Sequence, residues 1–299
     1  MLRRRLPSGH GCTTVSSMKL VQLRNATCLL VYGGHRIVVD PMLSDVGAMP
    51  GFKVVGGGRR RNPLVPLPPE ADEALASATA VLVTHEHPDH FDRPGLRWAQ
   101  ERRLPVWASA IDAPNLAKKG LDVLVLEEGA PGLDVEVVRS RHGRGLVGWL
   151  MGPVAGCVLA AEGEPTVYLT GDSILVDAVT EVIARRRPDV IVAPAGAANM
   201  GLGGDILFSP DELVALVRAA PGVVVANHLE ALDHCPTTRA GLRARLEAEG
   251  LSDKVYVPGD GESVELGVGA TRPPPGARPS RGARAPTLQK RVTALFAGT

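Results

Sequence analysis

The segment TAVLVTHEHPDHFD, Thr79 to Asp92, places three histidines and two aspartates directly behind a run of apolar residues. His85, His87, Asp89 and His90 follow a predicted strand that ends at Thr84. Imidazole and carboxylate together suit zinc and other borderline divalent metals. Alternate positions on an extended loop point His85 and His87 the same way, toward one ion, and leave Asp89 and His90 to face a second. A solvated loop is the plain alternative for any one of these side chains. Four ligand-type residues within six positions need a reason to be concentrated there.

Eight histidines occur in the chain; the other five are His10, His35, His142, His228 and His234. His142 comes just after LDVEVVRS and His228 just after GVVVAN, each at the end of a predicted strand, and Asp172 follows TVYLTG in the same way. Taken alone, His142 or Asp172 serves equally well as a turn or cap residue. As a set, donors at strand ends gather around one cleft although they are distant in sequence.

The elements that must position them can be read from β-branched and Leu-rich runs. MKLVQLRN, TCLLVYGGHRIVVD and AVLVTH open the chain as strands, with Gly33-Gly34 marking a hairpin. LPVWAS, DVLVLEE, LDVEVVRS, GCVLAAE, TVYLTGD, DVIVAPAG, GVVVANH and KVYVPGD continue the series. Helices are expected mainly in the second half, most clearly SPDELVALVRAA, with Ser209 as N-cap and Pro210 at N1, and TTRAGLRARLEAEG, ending at Gly250. Many strands with later helices predict two packed sheets covered by helices, an α/β sandwich.

The chain has 299 residues, 44% of them hydrophobic, and no apolar run long enough for a bilayer. The expected organisation is an extension over residues 1–17, one domain over 18–268 and a Pro- and Arg-rich, largely disordered tail over 269–299. The first residues carry three arginines without a following apolar segment, so no secretory signal or anchor is expected and the cytoplasm is the expected compartment. Four well-separated cysteines suggest neither a disulfide framework nor a Cys-based zinc site. Between Met18 and Gly267 there are 24 basic and 32 acidic residues, a net charge of −8, which disfavours a polyanionic partner such as nucleic acid. A small-molecule substrate is expected, with no membrane partner; a homo-oligomer stays open.

The order THEHPDH, RHG, LTGDS, NHLEALDH, behind an opening MKLVQLRNATCLLVYGGHRIVVDPMLSD, resembles the metallo-β-lactamase fold hydrolase superfamily. Within it the nearest resemblance is to bacterial metal-dependent hydrolases of the ascorbate-6-phosphate lactonase type, and RNPLVPLP and HLEALDH resemble a less characterised subset. The resemblance implies a four-layer αββα sandwich with two metals at one sheet edge. It assigns His85, His87 and His142 to the first metal, Asp89, His90 and His228 to the second, and Asp172 to a bridge. His234 competes with His228 for the last position; His228 is preferred because it directly ends a strand. The opening motif reads RNAT where many relatives have GHAT, so any role of a histidine is absent at Asn25.

Two divalent ions, zinc foremost with manganese or iron as alternatives, would share a water and lower its pKa from about 15.7 toward neutrality. The expected activity is hydrolysis of a lactone, ester, amide or phosphodiester, with Asp89 orienting the water and taking its proton, and His234 as proton donor to the leaving group. Asp40 is expected to orient a metal-binding histidine. Arg59, Arg60 and Arg61 read as a solvated loop, and Trp149 as a core residue rather than a pocket wall. A single-iron persulfide dioxygenase and a phosphodiesterase or nuclease are the competing activities.

Overall fold

The computed structural model describes residues 17–201 and 203–269. Apart from Ser17 and Gly269, the expected N-terminal extension and tail lie outside these residues, as does His10.

The chain opens with β1 (Met18–Arg24), β2 (Thr27–Tyr32) and β3 (His35–Val39), an antiparallel meander. Gly33 and Gly34 turn the second hairpin with φ of 56° and 78°, the positive values a two-residue turn of this hand requires. Helix α1 (Glu70–Ala76) then leads to β4 (Ala80–Val83), α2 (Arg93–Arg102) to β5 (Val106–Ala108), and α3 (Ala113–Lys118) to β6 (Val123–Val125). These three strands continue the sheet in parallel from β3. The second sheet is built from β7 (Asp134–Arg141), helix α4 (Gly145–Met151), β8 (Pro153–Ala160) and β9 (Val167–Leu169), with β7, β8 and β9 antiparallel. Helix α5 (Asp177–Arg186), β10 (Val190–Pro194), α6 (Pro210–Ala219), β11 (Val223–Asn227), α7 (Arg239–Ala248) and β12 (Val255–Tyr256) extend it in parallel. Strand β13 (Ser263–Leu266) returns to pair with β1. The sheet orders are β13-β1-β2-β3-β4-β5-β6 and β12-β11-β10-β9-β8-β7.

Three apolar layers follow from strand alternation. Leu20, Leu30, Ile37, Leu82, Trp107, Leu159, Leu169, Val192 and Val225 meet between the sheets. The opposite faces, Val38, Val81 and Val83 on one sheet and Ile191 and Val224 on the other, pack under α1–α3 and α5–α7. With both faces covered, β4 and β10 are buried at every position, which is why they read as unbroken apolar runs. The architecture is the expected αββα sandwich, two mixed sheets flanked by helices.

Two expectations need correction. Helices are not concentrated in the second half, since α1, α2 and α3 all precede residue 119. They are short, and their glycine, proline and charge content hides the apolar stripe. Trp149 is not core either: it stands 76% exposed on α4, a helix without a buried residue. Among the described residues no helix is long and apolar enough to cross a membrane.

Candidate metal centre

The donors converge where strands of both sheets end. Asp40 follows β3, the loop carrying His85 to His90 follows β4, His142 follows β7, Asp172 follows β9 and His228 follows β11. Two groups of donor atoms form, each within 4.8 Å: His85, His87 and His142 in one, Asp89, His90, Asp172 and His228 in the other. Asp172 Oδ2 sits between them, 3.1 Å from His90 Nε2, 3.4 Å from His142 Nε2, 3.5 Å from His228 Nε2 and 4.0 Å from His85 Nε2. All seven residues expected as ligands are therefore in one place. His234 stands back, its ring centroid 6.5 Å from that of His228, and belongs to neither group.

The opposite ring nitrogens dictate the tautomers. His142 Nδ1 donates to the carbonyl oxygen of Ile206 at 2.7 Å; a carbonyl only accepts, so the proton is on Nδ1 and the Nε2 lone pair faces inward. His90 Nδ1 lies 2.8 Å from Asp40 Oδ2, which imposes the same choice. His85 Nδ1 is 3.1 Å from Thr84 Oγ1, whose own hydrogen goes to Asp40 Oδ2 at 2.7 Å. Asp40 also accepts from the Thr84 backbone at 2.8 Å, so one carboxylate behind the site orders two imidazoles. His228 is the exception, since its Nδ1 meets the Cys235 thiol at 3.5 Å.

Nε2 of His85, His90 and His228 is buried without a hydrogen-bond partner among the described residues. Orphaned buried nitrogens are costly unless something absent from the chain satisfies them. Inward lone pairs with two carboxylates are a donor set that fits two divalent cations. The electrostatics agree. Burial opposes charge on His90 and His228, but Asp172, with Asp40 beside the first, overcomes it and raises both pKa values. Burial and the neighbouring imidazolium of His90 keep His85 neutral, and burial lowers His142. Burial likewise opposes ionisation of Asp172 and Asp89, yet the adjacent histidines hold both carboxyls below the usual range. The pocket itself thus stores positive charge as protons, which a metal would displace.

Several residues that support the site gave no chemical signal in the sequence. Asn25, at φ 55°, donates from Nδ2 to the Asp89 carbonyl, while its own carbonyl accepts from the His228 N–H. It ties the loop after β4 to the loop after β11, and asparagine tolerates that left-handed turn. Arg24 is buried, with a pKa lowered to about 10 by desolvation, and clamps the carbonyls of Met42, Ser44 and Val65. Cys235 is the third. A signal existed only for Asn25, as a turn former between two strands.

One wall beside the ligands is apolar. Met42, Ile206, Leu207, Ala231, Leu232 and Cys235 pack with the half-buried Phe52, Val147, Met151 and Met200. Phe52 meets the His234 ring edge-on, with centroids 5.3 Å apart. Arg59, Arg60 and Arg61 are exposed, as expected of a solvated loop, but two of them are engaged: Arg59 Nε donates to Gly51 O, and Arg61 to the carbonyls of Gly47 and Ala48.

Comparison with known proteins agrees with this fold. Residues 35–229 match the Beta-lactamase superfamily domain. The UPF0173 protein YddR of Bacillus subtilis is 31% identical over 82% of this chain and 99% of its own length. Among solved structures, an isothiocyanate hydrolase from Delia radicum gut bacteria is 30% identical with a TM-score of 0.77, covering 84% of this chain and 100% of that one. A possible metal-dependent hydrolase from Veillonella parvula is 28% identical with a TM-score of 0.78 over the same shares. By motif, fold and kinship, the chain belongs to the UPF0173 family of the beta-lactamase superfamily.

Proposed function

We propose that the protein is a binuclear metal-dependent hydrolase acting on a small, uncharged electrophile with an apolar body. The observation that carries this reading is the placement of Asp172 Oδ2 among four imidazole nitrogens, three of them buried without a hydrogen-bond partner among the described residues. His85, His87 and His142 would hold one cation, Asp89, His90 and His228 the other, with Asp172 between. When bound, the cations supply an acidified water and Lewis acidity toward the bond to be cleaved.

The chain's own residues do the rest. Asp89 stays ionised, so an oxygen not engaged elsewhere can accept a water O–H and orient it. Burial lowers the pKa of His234, which makes it a neutral donor that polarises the departing atom rather than an imidazolium acid. The Met- and Phe-lined wall excludes water and favours an apolar substrate body. A phosphorylated lactone fits less well, because Arg59 and Arg61 spend donors on loop carbonyls instead of presenting them to an anion. Isothiocyanates, the substrates named for the Delia radicum gut bacterial relative, combine an electrophilic carbon with an apolar tail. They are the first class to try, before uncharged esters and lactones.

Metal content by plasma mass spectrometry, for wild type and Asp172→Ala, is paired with turnover of an aryl isothiocyanate and a phenyl ester. Two equivalents of zinc or manganese, lost in the variant together with turnover, are expected. One equivalent of iron, unchanged in the variant, would refute the binuclear hydrolase and point to the dioxygenase chemistry.

A further inference from the structure

Beside the metal centre lies a loop, residues 51–62, that contains three consecutive glycines and four basic residues and is mostly exposed. Such a segment has no apolar anchor of its own except Phe52, and its composition favours a fluctuating chain. Yet its two ends converge on one carboxylate. Asp233 Oδ1 accepts from the Phe52 N–H at 2.8 Å and from Asn62 Nδ2 at 3.0 Å. Its Oδ2 accepts from the Arg60 N–H at 3.2 Å, and the Lys53 N–H is shared between both oxygens at 3.4 and 3.3 Å. Asn62 Oδ1 takes the Asp233 backbone N–H at 2.9 Å, closing a reciprocal pair.

The Asp233 side chain is fully buried, and no lysine or arginine side chain pairs with it among the described residues. A buried carboxylate whose hydrogen bonds all come from loop N–H groups, with the His234 Nδ1 standing off at 4.0 Å, is a costly way to terminate a loop unless the loop's position matters. Two features say that it does. Gly51 admits no side chain, because a Cβ there would lie 2.4 Å from Arg60 O and 2.5 Å from Asp233 Oδ2. Phe52, the residue next to it, is the ring set edge-on against His234, which follows Asp233 in the chain.

We propose that Asp233 is a positioning residue that locks the loop over residues 51–62 in place, fixing Phe52 against His234 and so setting how tightly the apolar body of the substrate is held. The proposal rests on the hydrolase reading only for its kinetic consequence; the locking itself is independent of it. Asp233 acts through Phe52 and His234, not on the metals, so removing it loosens the substrate wall while leaving the cations in place.

Limited trypsinolysis of the zinc-loaded full chain reads the lock directly, because Lys53, Arg59, Arg60 and Arg61 are cleavage sites inside the loop. Peptide mass spectrometry distinguishes these cuts from those elsewhere. In Asp233→Ala, cleavage after these four residues should accelerate at least ~10-fold, since protease attack follows the population of locally opened chain. Asn62→Ala should accelerate it less, and Asp233→Asn should restore part of the protection, because an amide oxygen still accepts from Phe52 while its nitrogen cannot accept from Arg60. Zinc stoichiometry should not change. With an aryl isothiocyanate, KM should rise about 10-fold in Asp233→Ala with kcat within about threefold.

Unchanged loop cleavage in both Asp233→Ala and Asn62→Ala overturns the proposal, and so does loss of zinc from Asp233→Ala, which would place its role in the metal centre. Absence of turnover by the wild type refutes the substrate reading instead, and the cleavage comparison still decides the lock.

Discussion

Replacing Asp40 by asparagine tests the tautomer argument at its strongest point. Asp40 accepts from His90 Nδ1, from the Thr84 N–H and from Thr84 Oγ1. An asparagine can keep its oxygen on the Thr84 N–H only by turning its NH2 toward His90. Donor then faces donor unless the imidazole moves its proton to Nε2, which blocks that nitrogen as a ligand. Loss of such a partner costs about 10- to 100-fold in metal affinity, or ~1.4–2.7 kcal/mol. A second effect opposes it. Without metal, Asp172 and Asp40 together overcome burial and raise His90 to about 10, so at pH 7 its proton competes ~1000-fold against a cation. Removing Asp40 weakens that competition. The two effects oppose each other at pH 7 and separate as the pH rises, because proton competition fades in the wild type while the tautomer penalty does not. Competition with a chelator of known affinity at each pH measures this. Second-equivalent zinc affinity should rise with pH in both proteins, because His228 also sheds a proton, but more steeply in the wild type, by up to ~10-fold more per pH unit while His90 is protonated. Parallel slopes would refute the reasoning, whatever the absolute affinities.

Cys235→Ala removes the Nδ1 partner that His228 has among the described residues and should weaken one of two zinc equivalents about 10-fold, with Cys235→Ser restoring most of it; wild-type affinity for both ions in Cys235→Ala would exclude a role for the thiol. Asp112, which accepts from the Glu86 N–H and from Ser109 Oγ, is raised to about 6 by burial. A carboxyl raised in the folded state stabilises most below its unfolded pKa, and that contribution is lost as pH rises through about 6. The melting temperature of Asp112→Asn relative to wild type should therefore be more favourable at pH 8 than at pH 5. Gly196→Ala would set a Cβ 2.3 Å from the His228 carbonyl oxygen. It should lower both thermal stability and zinc retention, and a variant that melts and binds as wild type does would show that the loop after β10 can yield.

The convergence of these seven donors was legible in the sequence because they obey a local rule: each lies at or shortly past the end of a β-rich run, and a sheet edge collects strand ends. The choice of His228 over His234 also rested on that rule, and the rings stand in that order around Asp172. What could not be read was everything that depends on contacts between distant segments. Nothing in HLEALDH distinguishes Asp233 as the anchor of a loop 171 residues earlier, as its bond with Asn62 makes it. Nothing around Cys235 announces a histidine partner. The short helices α1–α3 escaped notice because each buries only two residues, too few to generate a period. Trp149 is illegible for the opposite reason: its apolar sequence implies burial, whereas α4 turns Leu146, Trp149 and Leu150 outward.

The split origin of the donors has a mechanical consequence. His85, His87, Asp89 and His90 hang from one sheet, whereas His142, Asp172 and His228 hang from the other. Between the sheets most contacts are apolar and non-directional, and such an interface resists separation better than it resists sliding. The paired cations would act as a rivet at one margin of the sandwich, setting the registry of the two sheets. Metal supply would then govern not only turnover but also the shear stiffness of the fold, and a starved protein would lose rigidity first at the edge where its chemistry resides.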